Sequence, residues 1–258
     1  MSTSVVLEAL ALPDESRVNR RVPKKLLTEQ GAPTAADKRQ IQDGVDEIVW
    51  AAALKPTNIG VPIFRDELRE YLEIAVVIAV LRANGKLGRL LELVHRAIPY
   101  PVVLVTAQGR LLNVSFAHKR WSQGEAGKTV IEGLHRTAPF QPDAPTSEES
   151  LFLQSLALSQ LPHRDLFVLY EGWIDRVSAL QVAQITGSFA LPDSADRGSA
   201  LRGALDVRAE VQRQIVLLRA QAAKEKQLNR RVQLNLEIKR LEGKLAGATD
   251  TLRADHSR

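Results

Sequence analysis

The chain has 258 residues, 45% of them hydrophobic and 25% charged, a composition that fits a soluble globular protein with room for one sizeable domain and an appendage, or two small domains. It contains no cysteine, which excludes disulfides, thiolate metal sites and Cys nucleophiles and fits a reducing cytoplasm. The net charge of +5 is unevenly spread: residues 201–258 hold 13 Lys and Arg against 7 Asp and Glu, so the tail is basic and the rest is close to neutral.

The N-terminal stretch lacks a basic region ahead of its apolar residues, so no secretory signal is expected there. Arg17, Arg20, Arg21, Lys24 and Lys25 then form a basic cluster. Pro23 opens a short helix over 24–30 that Gly31 stops. Thr34 reads as an N-cap with Asp37 as the acid of a capping box, and a helix follows over 35–45. Residues 48–55 read as strand from Val49 and Trp50, or as continued helix from their three alanines. Lys55 to Pro62 is a loop.

Residues 71–82 are the strongest strand, and their apolar run on both faces places it centrally in a sheet. Asn84-Gly85 ends it, and 87–97 has Leu87, Leu90, Leu91 and Val94 on one helical face. Strands are expected at 102–107, 111–119 and 129–137, the first two joined by Gln108-Gly109. A proline-rich linker at 139–145 precedes a helix from Ser147 to about Leu158 and another over 165–185. Residues 191–203 read as a hinge.

From Leu205 to Ala246 there is no proline and a single glycine, which predicts one long helix of about 60 Å. Val211, Ile215, Leu218 and Ala222 form one heptad seam, and Leu234, Ile238, Leu241 and Leu245 a second. The two are out of register, with the break at Lys224 to Arg231. Arg230, Arg231, Lys239 and Arg240 flank the second seam. Such a localised basic excess fits an acidic partner, either nucleic acid or a protein face, and fits equally the solvated side of a coiled coil.

The expected fold is therefore α+β: a mixed or antiparallel β-sheet with flanking helices and a long C-terminal coiled-coil-like helix. The expected division is a body at 1–138, a helical segment at 139–190, a hinge at 191–203 and a basic helix at 204–258. No apolar run is long enough to span a bilayer, so no membrane partner is expected.

No complete catalytic motif is present. Gly127-Lys128-Thr129 resembles the end of a phosphate-binding loop, but Ser122 stands where the upstream glycine belongs, and strand rather than helix is expected after it. His95, His118, His135, His163 and His256 show no metal-pair spacing. No metal or other cofactor is expected. A Mg²⁺-dependent nuclease of the restriction-endonuclease kind needs an acid on one strand and an acid-x-Lys signature on the next. Asp66, Glu67, Glu70 and Glu73 precede or begin the first strong strand and Lys119 ends a later one, but no acid-x pair stands before Lys119.

Several segments together carry a resemblance: Arg21-Val22-Pro23-Lys24-Lys25, Ala36-Asp37-Lys38-Arg39, Glu70-Tyr71-Leu72-Glu73-Ile74, Ala97-Ile98-Pro99-Tyr100-Pro101, Ala117-His118-Lys119-Arg120 and Leu228-Asn229-Arg230-Arg231-Val232-Gln233-Leu234-Asn235-Leu236-Glu237-Ile238-Lys239-Arg240-Leu241. Over most of its length the chain resembles an uncharacterised bacterial family encoded beside helicase and DNA-methyltransferase genes of restriction-modification and anti-phage defence loci. The resemblance implies a setting and no catalytic residues. It implies an accessory, non-enzymatic scaffold that meets a helicase, a methyltransferase or a second copy of itself through the C-terminal helix, with the DNA backbone as a further candidate partner. The candidate contact residues are Arg20, Arg21, Lys24, Lys25, Arg230, Arg231, Lys239 and Arg240. A diverged nuclease is the alternative.

Overall fold

The computed structural model describes residues 3–125 and 128–256, and the chain divides into two compact units, 1–177 and 178–258. The fold is α+β, built on a mixed six-stranded sheet with flanking helices and a long helical C-terminal region. Gly127 of the loop Gly127-Lys128-Thr129 lies outside the described residues, and Thr129 begins a strand.

Helix α1 (Thr3–Ala9) leads to strand β1 (Arg17–Arg21), which the polar sequence conceals. Only Val18 is partly covered, because β1 is an edge strand and an edge tolerates charged side chains on both faces. Helices α2 (Lys24–Gln30) and α3 (Ala35–Gly44) follow Pro23 and Thr34 respectively. The Thr34 hydroxyl accepts from the Asp37 amide at 3.1 Å and donates to the Asp37 carboxylate at 2.7 Å.

Strand β2 (Val45–Leu54) settles the ambiguous stretch as strand, with a bulge between Trp50 and Ala52. Its alanines 51–53 are buried, so tertiary burial between two neighbouring strands overrides their helical preference. A single helical turn, α4 (Pro56–Ile59), and a two-residue hairpin of β3 (Phe64–Arg65) and β4 (Glu70–Tyr71) occupy the next connection.

The strongest predicted strand is β5 (Ile74–Leu81), and it is central. It pairs antiparallel with β2 and parallel with β6 (Val102–Gln108). A parallel pair needs a crossover, which α5 (Leu87–Ala97) supplies. Leu90, Leu91, Leu93 and Val94 of α5 are buried in one cluster with Ile48, Val77, Ala79 and Leu104 of the sheet. Each such side chain contributes about 2 kcal/mol when fully buried.

Gly109, at φ +63°, makes the left-handed turn between β6 and β7 (Leu111–Trp121), and β8 (Thr129–Arg136) completes the sheet in the order β1-β2-β5-β6-β7-β8. Arg89 of α5 forks onto Asp37 of α3 at 2.7 and 2.8 Å, and with Thr34 it holds the Asp37 carboxyl at about 2.

After α6 (Ser147–Ser155), which Thr146 and Glu149 cap reciprocally, α7 runs over Leu166–Thr186. Trp173 is fully buried and donates to the Leu156 carbonyl at 3.0 Å. Arg176, also buried, donates to the carbonyls of Ser155, Gly172 and Gln160 at 2.6–2.8 Å, so its charge sits in a cage of backbone oxygens.

The expected single rod is divided in two. Helix α8 (Ala195–Lys224) is capped by Ser194, and α9 (Leu228–His256) follows after three residues. Helix thus begins inside the stretch read as a hinge at 191–203. The polar break between the seams is a turn: Glu225 is extended, and its carboxylate accepts from the Gln227 amide at 2.8 Å. The break contains neither proline nor glycine, and for that reason the sequence reads there as continuing helix. The phase shift has a physical cause, because two seams that face one another across a hairpin need not share a register. All eight seam residues meet in one cluster, with Ile215, Ala222, Ile238 and Leu241 buried and Val211, Leu218, Leu234 and Leu245 packed around them.

Candidate functional site

The residues singled out by charge fall in two places, each within one unit. On the helical hairpin, Arg230, Arg231, Lys239 and Arg240 are all exposed along α9. Arg240 pairs with Glu237 at 2.6 Å, and that guanidinium lowers the Glu237 carboxyl. Among the described residues, Arg230 and Arg231 have no carboxylate partner. A cross-helix pair, Arg219 with Glu242 at 2.6 Å, ties α8 to α9.

Near the turn the two helices leave a groove of about 590 Å³. Leu218 and Leu234 line it, together with Lys224, Glu225, Arg230 and Glu237. Around the same end, Val216, Leu217, Leu228, Val232 and Leu236 are exposed, Leu228 and Leu236 by more than 60%. The last three of these are spaced four apart and so share one face of α9. Surface helices rarely leave such a stripe uncovered.

In the body, the N-terminal basic cluster divides by role. Arg20 and Arg21 are exposed on β1. Lys24 is turned inward: its amine donates to the Val45 carbonyl and, at 3.4 Å, to that of Gln42, which ties the start of α2 to the start of β2. Lys25 faces solvent beside Glu29 at 3.7 Å. Arg20 and Arg21 border a mostly apolar cavity of about 370 Å³ that reaches under α2 to Trp50, Val77, Pro99 and Tyr100. A second cavity of about 190 Å³ shares Pro99 and Tyr100 and continues to Lys119, Arg120, Trp121 and Thr129.

Of the nuclease candidates, Glu73, Glu70, Asp66 and Lys119 are each held by a separate local partner. Glu73 pairs with Lys55 at 3.1 Å, and Glu70 pairs with Arg65. Asp66 accepts from the amides of Leu68 and Arg69 and so closes a turn. Lys119 is buried with its amine on the His95 carbonyl; burial, and then the nearby Arg96 charge, lower its pKa to about 7. His95 is itself buried against the Ser115 hydroxyl at 3.0 Å, and burial depresses its pKa further. Among the described residues, no three His, Asp or Glu side chains converge as a metal site, and no helix is long and apolar enough to cross a membrane.

One constellation has no signature in the sequence. The Tyr71 hydroxyl lies 2.5 Å from His118 Nδ1, and His118 Nε2 lies 3.3 Å from the Glu171 carboxylate. Phe167 and Tyr170 surround this chain of groups. Burial raises the Tyr71 pKa, so its hydroxyl stays protonated. Every group then has a partner, and the arrangement locks β4, β7 and α7 together. Its members are spread from residue 71 to residue 171, too far apart for any spacing rule.

A family model described as a domain of unknown function (DUF4391) matches residues 10–245, which takes in the body and most of the hairpin. No curated protein and no solved structure matches the chain.

Proposed function

The chain belongs to the DUF4391 family, and we propose that it is a cytoplasmic, non-enzymatic scaffold of a bacterial restriction or anti-phage defence assembly that docks a protein partner on the tip of its helical hairpin. The observation that carries this reading is the exposed apolar end of the hairpin. The eight seam residues are consumed in folding α8 against α9. Leu228, Val232 and Leu236 take no part in that interior and form a second face. Lys224, Lys226, Arg230 and Arg231 are exposed and close to it in the chain, so the complementary surface is an amphipathic helix with acidic flanks. The setting, with a helicase or DNA-methyltransferase as that partner, rests on the family resemblance.

The test is co-expression of the full chain with the products of neighbouring helicase and methyltransferase genes, followed by affinity purification. The wild type retains one of them, and the triple variant Leu228→Glu, Val232→Glu, Leu236→Glu loses it while keeping its helical circular dichroism. Retention by the folded variant overturns the assignment to the tip, and no retention by the wild type overturns the proposal.

A further inference from the structure

We propose that the cleft crossing one end of the sheet binds single-stranded nucleic acid, with Tyr100 and Trp121 as base-stacking platforms and Arg20, Arg21 and Arg120 on the phosphates. The inference does not rest on the hairpin or on the docking it provides.

The distribution of aromatic side chains carries it. The chain has three Trp and three Tyr. Tyr71, Tyr170 and Trp173 are fully buried in the body. The other three, Trp50, Tyr100 and Trp121, all line this cleft. Tyr100 and Trp121 are each 38% exposed, so part of each side chain is open to solvent. Trp50 packs partly against the core of the body, whereas Tyr100 and Trp121 stay half open to solvent beside it.

The two cavities adjoin at shared residues and carry charge on their rims. Pro99 and Tyr100 belong to both cavities, so the wall runs from β1 to the start of β8. In the strand order β1-β2-β5-β6-β7-β8 that is five interstrand steps, or about 24 Å, the reach of a few nucleotides. Arg20 stands directly across from Trp50 in the β1–β2 ladder, so a cation and an aromatic ring share a face at one end. At the other end, Arg120 and Trp121 both line the smaller cavity.

The ion pairs at these arginines are long: Arg21 to Glu47 is 3.6 Å and Arg120 to Glu132 is 3.9 Å. Arg20 has no carboxylate partner among the described residues. Glu70, the carboxylate lining the smaller cavity, is neutralised by Arg65. Stacking on Tyr and Trp requires unpaired bases with open faces, which selects a single strand over a duplex. It also makes the site tolerant of sequence, since every base has a π-face.

The test is fluorescence anisotropy with a fluorescein-labelled oligothymidylate of about 20 residues and a duplex of the same length. The full chain binds the single strand at about 50 mM salt, more tightly than the duplex, and the affinity falls steeply as salt rises. The double variant Tyr100→Ala, Trp121→Ala weakens binding at least about tenfold, while Tyr100→Phe, Trp121→Phe stays close to wild type. Arg20→Glu, Arg21→Glu abolishes binding, and Arg213→Glu on α8 leaves it unchanged. Absence of single-strand binding at low salt overturns the proposal. So does equal affinity for the duplex, or binding by the folded alanine double variant within about twofold of wild type. None of these outcomes bears on partner retention through the hairpin tip.

Discussion

The body and the hairpin are built from the same aliphatic residues under different geometries. In the body, β5 is covered on both faces, α5 packs across the sheet, and α7 adds Tyr170 and Trp173. Each core side chain has many neighbours, and the charge of Arg176 is drawn in where backbone carbonyls receive it. In the hairpin, two helices present one seam to each other, and only Ile215, Ala222, Ile238 and Leu241 of its eight residues are buried. A two-helix interior is one side chain thick, so most apolar surface on α8 and α9 has nowhere to go. The difference teaches where to look for function: a sheet covered by helices keeps its aliphatic surface inside, whereas a hairpin exposes a second face that a partner can use.

Substitutions in the two interiors should differ in cost. The largest effect is expected from Trp173→Ala, which removes a fully buried ring and leaves the Leu156 carbonyl without its donor. It costs about 4 kcal/mol, read as a fall in the urea midpoint of the tryptophan-independent amide signal. Leu241→Ala in the hairpin should cost less, about 2 kcal/mol, at the low end for buried leucine because the thin interior collapses around the gap. Equal losses from the two would mean that the hairpin is as tightly packed as the body.

A subtler difference lies in pH. The Lys119 amine has a pKa of about 7 when folded against 10.5 when unfolded, so between those values the unfolded chain holds the extra proton. Stability of the body should rise as pH climbs from about 7 towards 10, and Lys119→Met should flatten that rise. Urea midpoints at several pH values measure it, and a rise that persists in the variant would assign it to another group. The smallest effect is expected from Arg219→Ala, which removes an exposed cross-helix ion pair and should cost about 0.5 kcal/mol, vanishing at high salt.

Much of this architecture is legible in the residues. The run in β5 is apolar on both faces because both faces are covered, and Thr34 with Asp37 marks the start of α3 because the cap is a local interaction. The two seams and the place where they fall out of phase are likewise visible as spacing. The turn at the phase change is not, since Lys224-Glu225-Lys226-Gln227 suits a helix as well as a loop and only the pairing of the seams decides. Strand β1 escapes notice because an exposed edge imposes no apolar alternation. The cleft shows the same limit: charge flags Arg20 and Arg21, but Trp50, Tyr100 and Trp121 are brought together by strand order alone.

The three-residue turn has an electrostatic consequence. It sets the carboxyl end of α8 beside the amino end of α9, so the partial negative charge of one helix terminus meets the partial positive charge of the other. Lys226, Arg230 and Arg231 would be poorly placed at the positive end of an isolated helix, and the neighbouring terminus offsets that. The backbone therefore contributes little net field at the tip, and its positive potential belongs to a few side chains. Acetylation of Lys224 or Lys226, or a rise in ionic strength, would then lower the positive potential of the tip without touching a seam residue.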